Sequence, residues 1–237
     1  MRKTWLTGGV ILVSSVLVSA VPASSQTKTP DFGGAWQSAH DRKFIPAATG
    51  PSPIMDDPAH PHQARGRGAN GQDTGTTPWV GDYRNPNLRP WVADAVKKSG
   101  DDDMAGHSRP TAEATCYPAG VPGIMNFFEP VYFLQRAGEV TILYQRGPNI
   151  RHVYLDKPHS AHPAPSWYGE SVGHYEGDTL VVDTIGFNDK SVLDNYRTPH
   201  SDALHVIERY RLTDGGKGIQ VDFTIDDPKA FKIGRAH

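Results

Sequence analysis

The chain has 237 residues, 37% of them hydrophobic, enough for one sizeable domain with its own core. Its 24 Lys+Arg against 26 Asp+Glu, with no basic run, argue against nucleic acid as a partner. The 24 Gly and 20 Pro point to a loop-rich, β-rich fold, and a lone Cys116 excludes an internal disulfide.

The N-terminus reads as a Sec-type signal peptide over residues 1–23. Arg2 and Lys3 form its charged start, residues 6–21 its apolar run, and Ala20, Val21 and Ala23 its small-residue cleavage region. The protein is therefore expected to be periplasmic or secreted. The apolar run is short and broken by Gly8-Gly9, so no stable membrane span is expected after cleavage.

Residues 31–122 are expected to hold a first strand, a Pro/Gly-rich wrap and a helix. The strand lies around Gly34-Ala35-Trp36. From His40 to Pro86 no period survives, and the stretch reads as an extended wrap or loop. It contains Asp56-Asp57-Pro58-Ala59-His60-Pro61-His62, whose residue types suit a metal but whose Pro-rich setting favours a solvated loop. Residues 88–99 predict the one helix, with Pro90 in its first turn, Lys97-Lys98 near its end and Gly100 as its stop. Trp91 is expected to pack that helix on the barrel, and Asp101-Asp102-Asp103 to be a solvated loop. Cys116 is expected to be a small buried residue in the tight 116–122 segment.

Residues 123–231 read as an antiparallel β-barrel core. Strands are predicted at 129–136, 139–146, 150–155, 170–175, 179–185, 204–212 and 219–226. Ala137-Gly138, Glu176-Gly177-Asp178 and Asp214-Gly215-Gly216-Lys217 supply the tight turns between neighbours. Leu180-Val181-Val182 is apolar on both faces, as in a strand covered on both sides. The fold expected is mainly β: an antiparallel meander closed into a barrel or left partly open, with one short helix and a long irregular N-terminal segment. A two-sheet sandwich is the second choice. Past Asp227-Pro228 the strand pattern stops, and residues 233–237 are what the start of a common sequencing adapter encodes. Residues 232–237 therefore read as a non-native tail, and the natural protein is expected to continue past about residue 231.

The motifs from Gly173-His174-Tyr175-Glu176-Gly177-Asp178-Thr179-Leu180 to Val181-Val182-Asp183-Thr184 are followed by Pro199-His200-Ser201. Then come Leu204-His205-Val206-Ile207-Glu208-Arg209 and Thr224-Ile225-Asp226-Asp227-Pro228. In that order they resemble a large group of exported bacterial β-rich proteins that carries no settled reaction. The opening Gly34-x-Trp36 is similar to that of lipocalins, in which the Trp plugs one barrel end; that resemblance implies architecture only.

Two functional readings follow. The first is a barrel that binds a small, partly apolar molecule, with Arg151, Tyr154, His174, Phe187 and Trp167 as binding residues. The alternative is a periplasmic lyase, isomerase or hydrolase working by His/carboxylate acid–base chemistry, with His200, Asp189, Arg151 and Glu208 as its catalytic residues. In the second reading His200 is exposed and pairs with Asp189 or Asp194. The alternation of strand 150–155 leaves open whether Arg151 or its neighbours His152 and Tyr154 face inward. Neither a cofactor nor a metal is expected: His159, His162, His200 and His205 lack a sharp ligand spacing. The oligomeric state cannot be read from the sequence.

Overall fold

A computed structural model describes residues 29–38, 43–63, 75–107, 116–147 and 149–232. Residues 1–23, expected to be a signal peptide, and all of the expected 232–237 tail but Lys232 lie outside the described residues. Eight strands form one curled sheet in chain order, a half-barrel: β1 (Gly34–Trp36), β2 (Val131–Arg136), β3 (Glu139–Tyr144), β4 (Asn149–Leu155), β5 (Glu170–Glu176), β6 (Thr179–Ile185), β7 (His205–Thr213) and β8 (Gly218–Asp226). The short turns give antiparallel neighbours where expected, with Gly138 and Gly177 in the left-handed region their turns require.

One junction departs from the meander. β4 and β5 run parallel over just Val153–Leu155 against Ser171–Gly173. Parallel neighbours need the chain to travel back a strand's length, and segment 156–169 does this. Pro158, Pro163 and Pro165 keep it extended without a helix. Gly173 is needed at the junction, because a Cβ there would stand 2.9 Å from Val153 Cγ1 and 2.9 Å from the Val181 carbonyl oxygen.

The pleat sorts the sheet into two faces. Phe133, Ile142, Val153, Val182, Val206 and Tyr210 point into one buried core. The outer face carries His152, Tyr154, His174, Asp183 and His205 at intermediate or full exposure. The open side is closed by helix α1 (Pro90–Met104), the wrap and the 186–204 loop, which contribute Val92, Val96, Ile54, Leu193 and Tyr196 to the same core. Phe32 is fully buried beside Phe133, whereas Trp36 is only partly buried and donates its indole N–H to the Phe32 carbonyl at 2.8 Å.

Several local expectations are corrected. Gly100 does not end the helix; it is buried inside it, packed on Val80, where an added Cβ would stand 3.0 Å from Val80 Cγ1 and press on it. The helix runs on through Asp101-Asp102-Asp103, because Lys97 and Lys98 pair with Asp101 and Asp102 one turn later. Trp91 is half exposed and reaches only the Lys229 carbonyl with its N–H, so Val92 and Val96 make the packing face. Cys116 is exposed rather than buried, in a left-handed conformation. The Asp56–His62 stretch is built into the fold. Asp56 accepts from Lys43 and Tyr196, Asp57 is buried against Arg84, and His62 stacks on Trp79.

The Pro199-His200-Ser201 and Asp226-Asp227-Pro228 motifs meet in space. The buried Asp227 carboxylate accepts from Ser201 N at 2.6 Å, Ser201 Oγ at 2.8 Å, and the Lys229 and Ala230 N–H groups at 3.1 Å each. One side chain thus fastens the end of β8 to the loop entering β7. Hydrogen bonds to a charged acceptor contribute about 1.5–3 kcal/mol apiece. Asp227→Ala is therefore expected to lower unfolding free energy by at least about 3 kcal/mol in urea titration, and Asp227→Asn, which keeps an acceptor, by distinctly less.

Candidate functional site

The inner face of the sheet resolves the alternation on β4. Arg151 points inward, 2% exposed, and Ile150, His152 and Tyr154 point outward. Its guanidinium meets both oxygens of Glu208 on β7, which is 0% exposed; one contact is 3.0 Å, and the other joins Nη2 to Oε2. Nε donates to Ser171 Oγ on β5 at 2.9 Å and Nη2 to Thr184 Oγ1 on β6 at 2.7 Å. The Tyr210 hydroxyl donates to Glu208 Oε1 at 2.6 Å. Burial acts to lower the Arg151 pKa, but the Glu208 carboxylate more than offsets this and holds it well above its usual value. Every polar group of the pair is engaged, as a buried ion pair requires. Arg151 and Glu208 therefore sit in a sealed, packed interior. Nearby, the buried Tyr144 hydroxyl lies beside Arg151, and burial pushes its pKa up to about 12 against the pull of that guanidinium.

His200 is not exposed. It lies buried under the 186–204 loop with its ring edge on Phe187, 6.1 Å between centroids. Its Nδ1 stands 2.9 Å from the Ser201 carbonyl, which can only accept, so Nδ1 carries the hydrogen. Nε2 then accepts from Ser191 Oγ at 2.8 Å. Burial lowers the His200 pKa, with Asp227 and Asp189 acting weakly against it. Neither Asp189 nor Asp194 forms the expected hydrogen-bonded pair with it. Asp189 is exposed, and Asp194 accepts from Thr198 N at 3.1 Å and Thr198 Oγ1 at 2.7 Å. Ser191 and His200 have the contact of a nucleophile and its base. But Ser191 is buried and packed on Gly120, where an added Cβ would stand 2.7 Å from its own, so the contact holds the loop.

The four residues expected to carry catalysis are thus divided: Arg151 with Glu208 inside, His200 within the loop, Asp189 at the surface. The expected binding set is divided too. Tyr154 lies outside, stacked on His152 and covered by Lys157. His174 lies outside, 3.0 Å from Glu176. Trp167 stacks on Tyr117 beside the crossover, and Phe187 is core.

Two other places concentrate chemistry. On the outer face, His159 from the crossover reaches Glu170 on β5 with Nδ1 at 3.2 Å and Asp183 on β6 with Nε2 at 3.0 Å. His205 on β7 puts its Nε2 2.9 Å from the same Asp183 Oδ1. Glu170 also accepts from Ser160 N at 2.7 Å and from Ser160 Oγ. The Ser160 contacts hold the Glu170 carboxyl below its ordinary value; burial raises that of Asp183, and the two imidazoles outweigh it. Asp183 and His205 both point to the outer face, a direction that alternation alone left open. The arrival of His159 and Glu170 was not readable from the sequence, because it depends on the crossover.

At the rim of the open side, wrap, helix lead-in, 186–204 loop and the end of β8 enclose a cavity of about 30 Å³. Phe44, Ile54, Leu88, Leu193, Ile225 and Phe231 make its apolar walls, and Asp194, Thr198, Asn85 and Asn87 its polar edge. It shares Pro51, Ser52, Pro53, Asn85 and Asn87 with a wider solvent-open vestibule of about 360 Å³. Burial pushes the Asp194 carboxyl up to about 6, against the Thr198 hydrogen bonds.

Together these features define a mainly β half-barrel with a filled interior and its accessible polar chemistry at the rim and on the outer face. Among the described residues no helix is long and apolar enough to cross a membrane. Comparison with known families, curated proteins and solved structures finds no match for the chain.

Asp194 titrates higher folded than unfolded, so its contribution to stability is full below about pH 4 and fades as pH rises through about 6. His200, lowered by burial, acts in the opposite sense, so the Asp194 effect is read as a difference between proteins. Asp194→Asn is expected to gain stability relative to the parent as pH rises from 4 to 8, measured by urea midpoints across that range. A pH-independent difference would show that Asp194 is not held in this environment.

Proposed function

We propose that this chain is an exported protein that binds a small, partly apolar molecule, and that the ligand enters the rim slot rather than the barrel interior. The observation that carries the reading is the apolar slot opening into a wider vestibule, with a few polar groups at its edge. Such a lining suits a ligand with an apolar body and one polar end. The interior is a poor competitor, since Arg151 and Glu208 already neutralise each other there and the space around them is filled by side chains. The slot is narrow as it stands. Its outer wall is the wrap around Phe44 and Pro51–Pro53, which has little regular structure and packs through contacts such as Phe44 on Phe223 at 5.2 Å. Lifting that wall is what a ligand larger than water requires. The segment at 1–23, read as a signal peptide, supports the exported part of the proposal.

The test is native mass spectrometry of the folded chain after incubation with mixed environmental small molecules. A one-to-one adduct is expected in the parent and should be lost in Leu193→Trp, which fills the slot, with the far-ultraviolet circular dichroism unchanged. A parent that stays bare, or an adduct that survives Leu193→Trp, would contradict the proposal.

A further inference from the structure

The rim slot and its vestibule carry charge of one sign. Among the described residues Asp194 is the one ionisable side chain lining the slot and Asp82 the one lining the vestibule; no Lys, Arg or His lines either. Asp82 has a cation beside it, since Arg84 Nε stands 3.6 Å from its Oδ1. Lys43, next to the slot residue Phe44, is turned to Asp56 at 2.6 Å. The donors to the Asp194 carboxylate are neutral: Thr198 N at 3.1 Å, Thr198 Oγ1 at 2.7 Å, and the Tyr196 and Arg197 amides. They orient the carboxylate without cancelling its charge. Burial works against that charge and raises the carboxyl to about 6. A negative charge set among apolar walls is stabilised most by a positive charge that arrives on an apolar body.

We propose that the slot selects organic amines, molecules with a slim aliphatic body and a terminal ammonium that meets Asp194. This inference rests on the slot reading above and adds to it the charge of the ligand. The body lies against Phe44, Leu88, Leu193 and Phe231. The narrowness of the slot, about 30 Å³, favours an unbranched chain. An ammonium carries three donors. One bonds an Asp194 oxygen, and the apolar walls strengthen that charge-assisted bond. The others keep water in the open vestibule, which limits the cost of desolvating the cation. Ligands of other charge fare worse on the same lining. A carboxylate would stand against Asp194 with no lining cation between them, and an alcohol gains a hydrogen bond without the attraction between opposite charges.

The experiment is calorimetric titration of the folded chain with three probes of equal length: hexylammonium, hexan-1-ol and hexanoate. It is run at about pH 7.5, where the amine is protonated and hexanoate ionised. The parent is expected to bind hexylammonium at least about tenfold more tightly than hexan-1-ol, and hexanoate most weakly, as the attraction or repulsion of a partly desolvated charge requires. Asp194→Asn, which keeps the shape and removes the charge, should lower hexylammonium affinity by about tenfold or more and leave that of hexan-1-ol nearly unchanged. Asp214→Asn removes the same charge from the exposed β7–β8 turn and should change neither. The three-probe series on the parent decides the matter if Asp194→Asn fails to fold. Hexan-1-ol or hexanoate bound as tightly as hexylammonium overturns the inference, as does an amine affinity that survives Asp194→Asn or falls equally in Asp214→Asn. If hexylammonium and hexan-1-ol bind equally and Leu193→Trp abolishes both, amine selection fails while the slot reading stands. Absence of binding by all three probes also overturns amine selection, and the slot reading is then decided by its own Leu193→Trp adduct.

Discussion

The Arg151–Glu208 pair is the interaction on which the sheet depends. The β4–β5 junction has the shortest pairing among β2 to β8, three register positions of parallel ladder where its neighbours have six or more. Arg151 spans that weak seam. From β4 it bonds Ser171 on β5, Thr184 on β6 and Glu208 on β7, and so ties four strands at one point. The desolvation cost of burying two charges is offset only because the contacts are complete. Removing one partner strands the other in the core, a loss of about 3–5 kcal/mol in comparable pairs.

Where function can sit follows from this. A barrel interior that holds a bidentate ion pair, the Ser171 and Thr184 hydroxyls that accept from its guanidinium, and the Tyr210 phenol is a poor place for a guest. What is left to engage other molecules lies where the fold is finished by irregular chain. The wrap and the 186–204 loop close the open side and leave the slot between them. The crossover that makes β4 and β5 parallel also lays His159 over Asp183 and His205. The same seam therefore forces the weld inside and assembles the polar cluster outside.

Much of the sheet was legible because local signals agreed. The alternating runs around Leu180 and Val206, and turns such as Glu176-Gly177-Asp178, set strand positions to within a residue or two. Failures came where a distant contact overrides a local rule. Gly100 reads as a helix stop until Val80 packs on it. His200 reads as an exposed loop histidine until Ser191 and Phe187 enclose it. Of the residues singled out for chemistry, Arg151 and Glu208 do meet, though as structure. His159 stood in a Pro-rich stretch without periodicity, so its meeting with Asp183 and His205 could not be read before the crossover was known.

Native-state hydrogen exchange tests the weld most directly, by comparing the parent with Glu208→Gln, which keeps the shape and removes the charge. The account predicts that amide protection falls first and most at Val153–Leu155 and Ser171–Gly173, the two sides of the parallel seam, while the β7–β8 ladder keeps its order of protection. Protection that falls evenly across the sheet, or is unchanged at the seam, would contradict it.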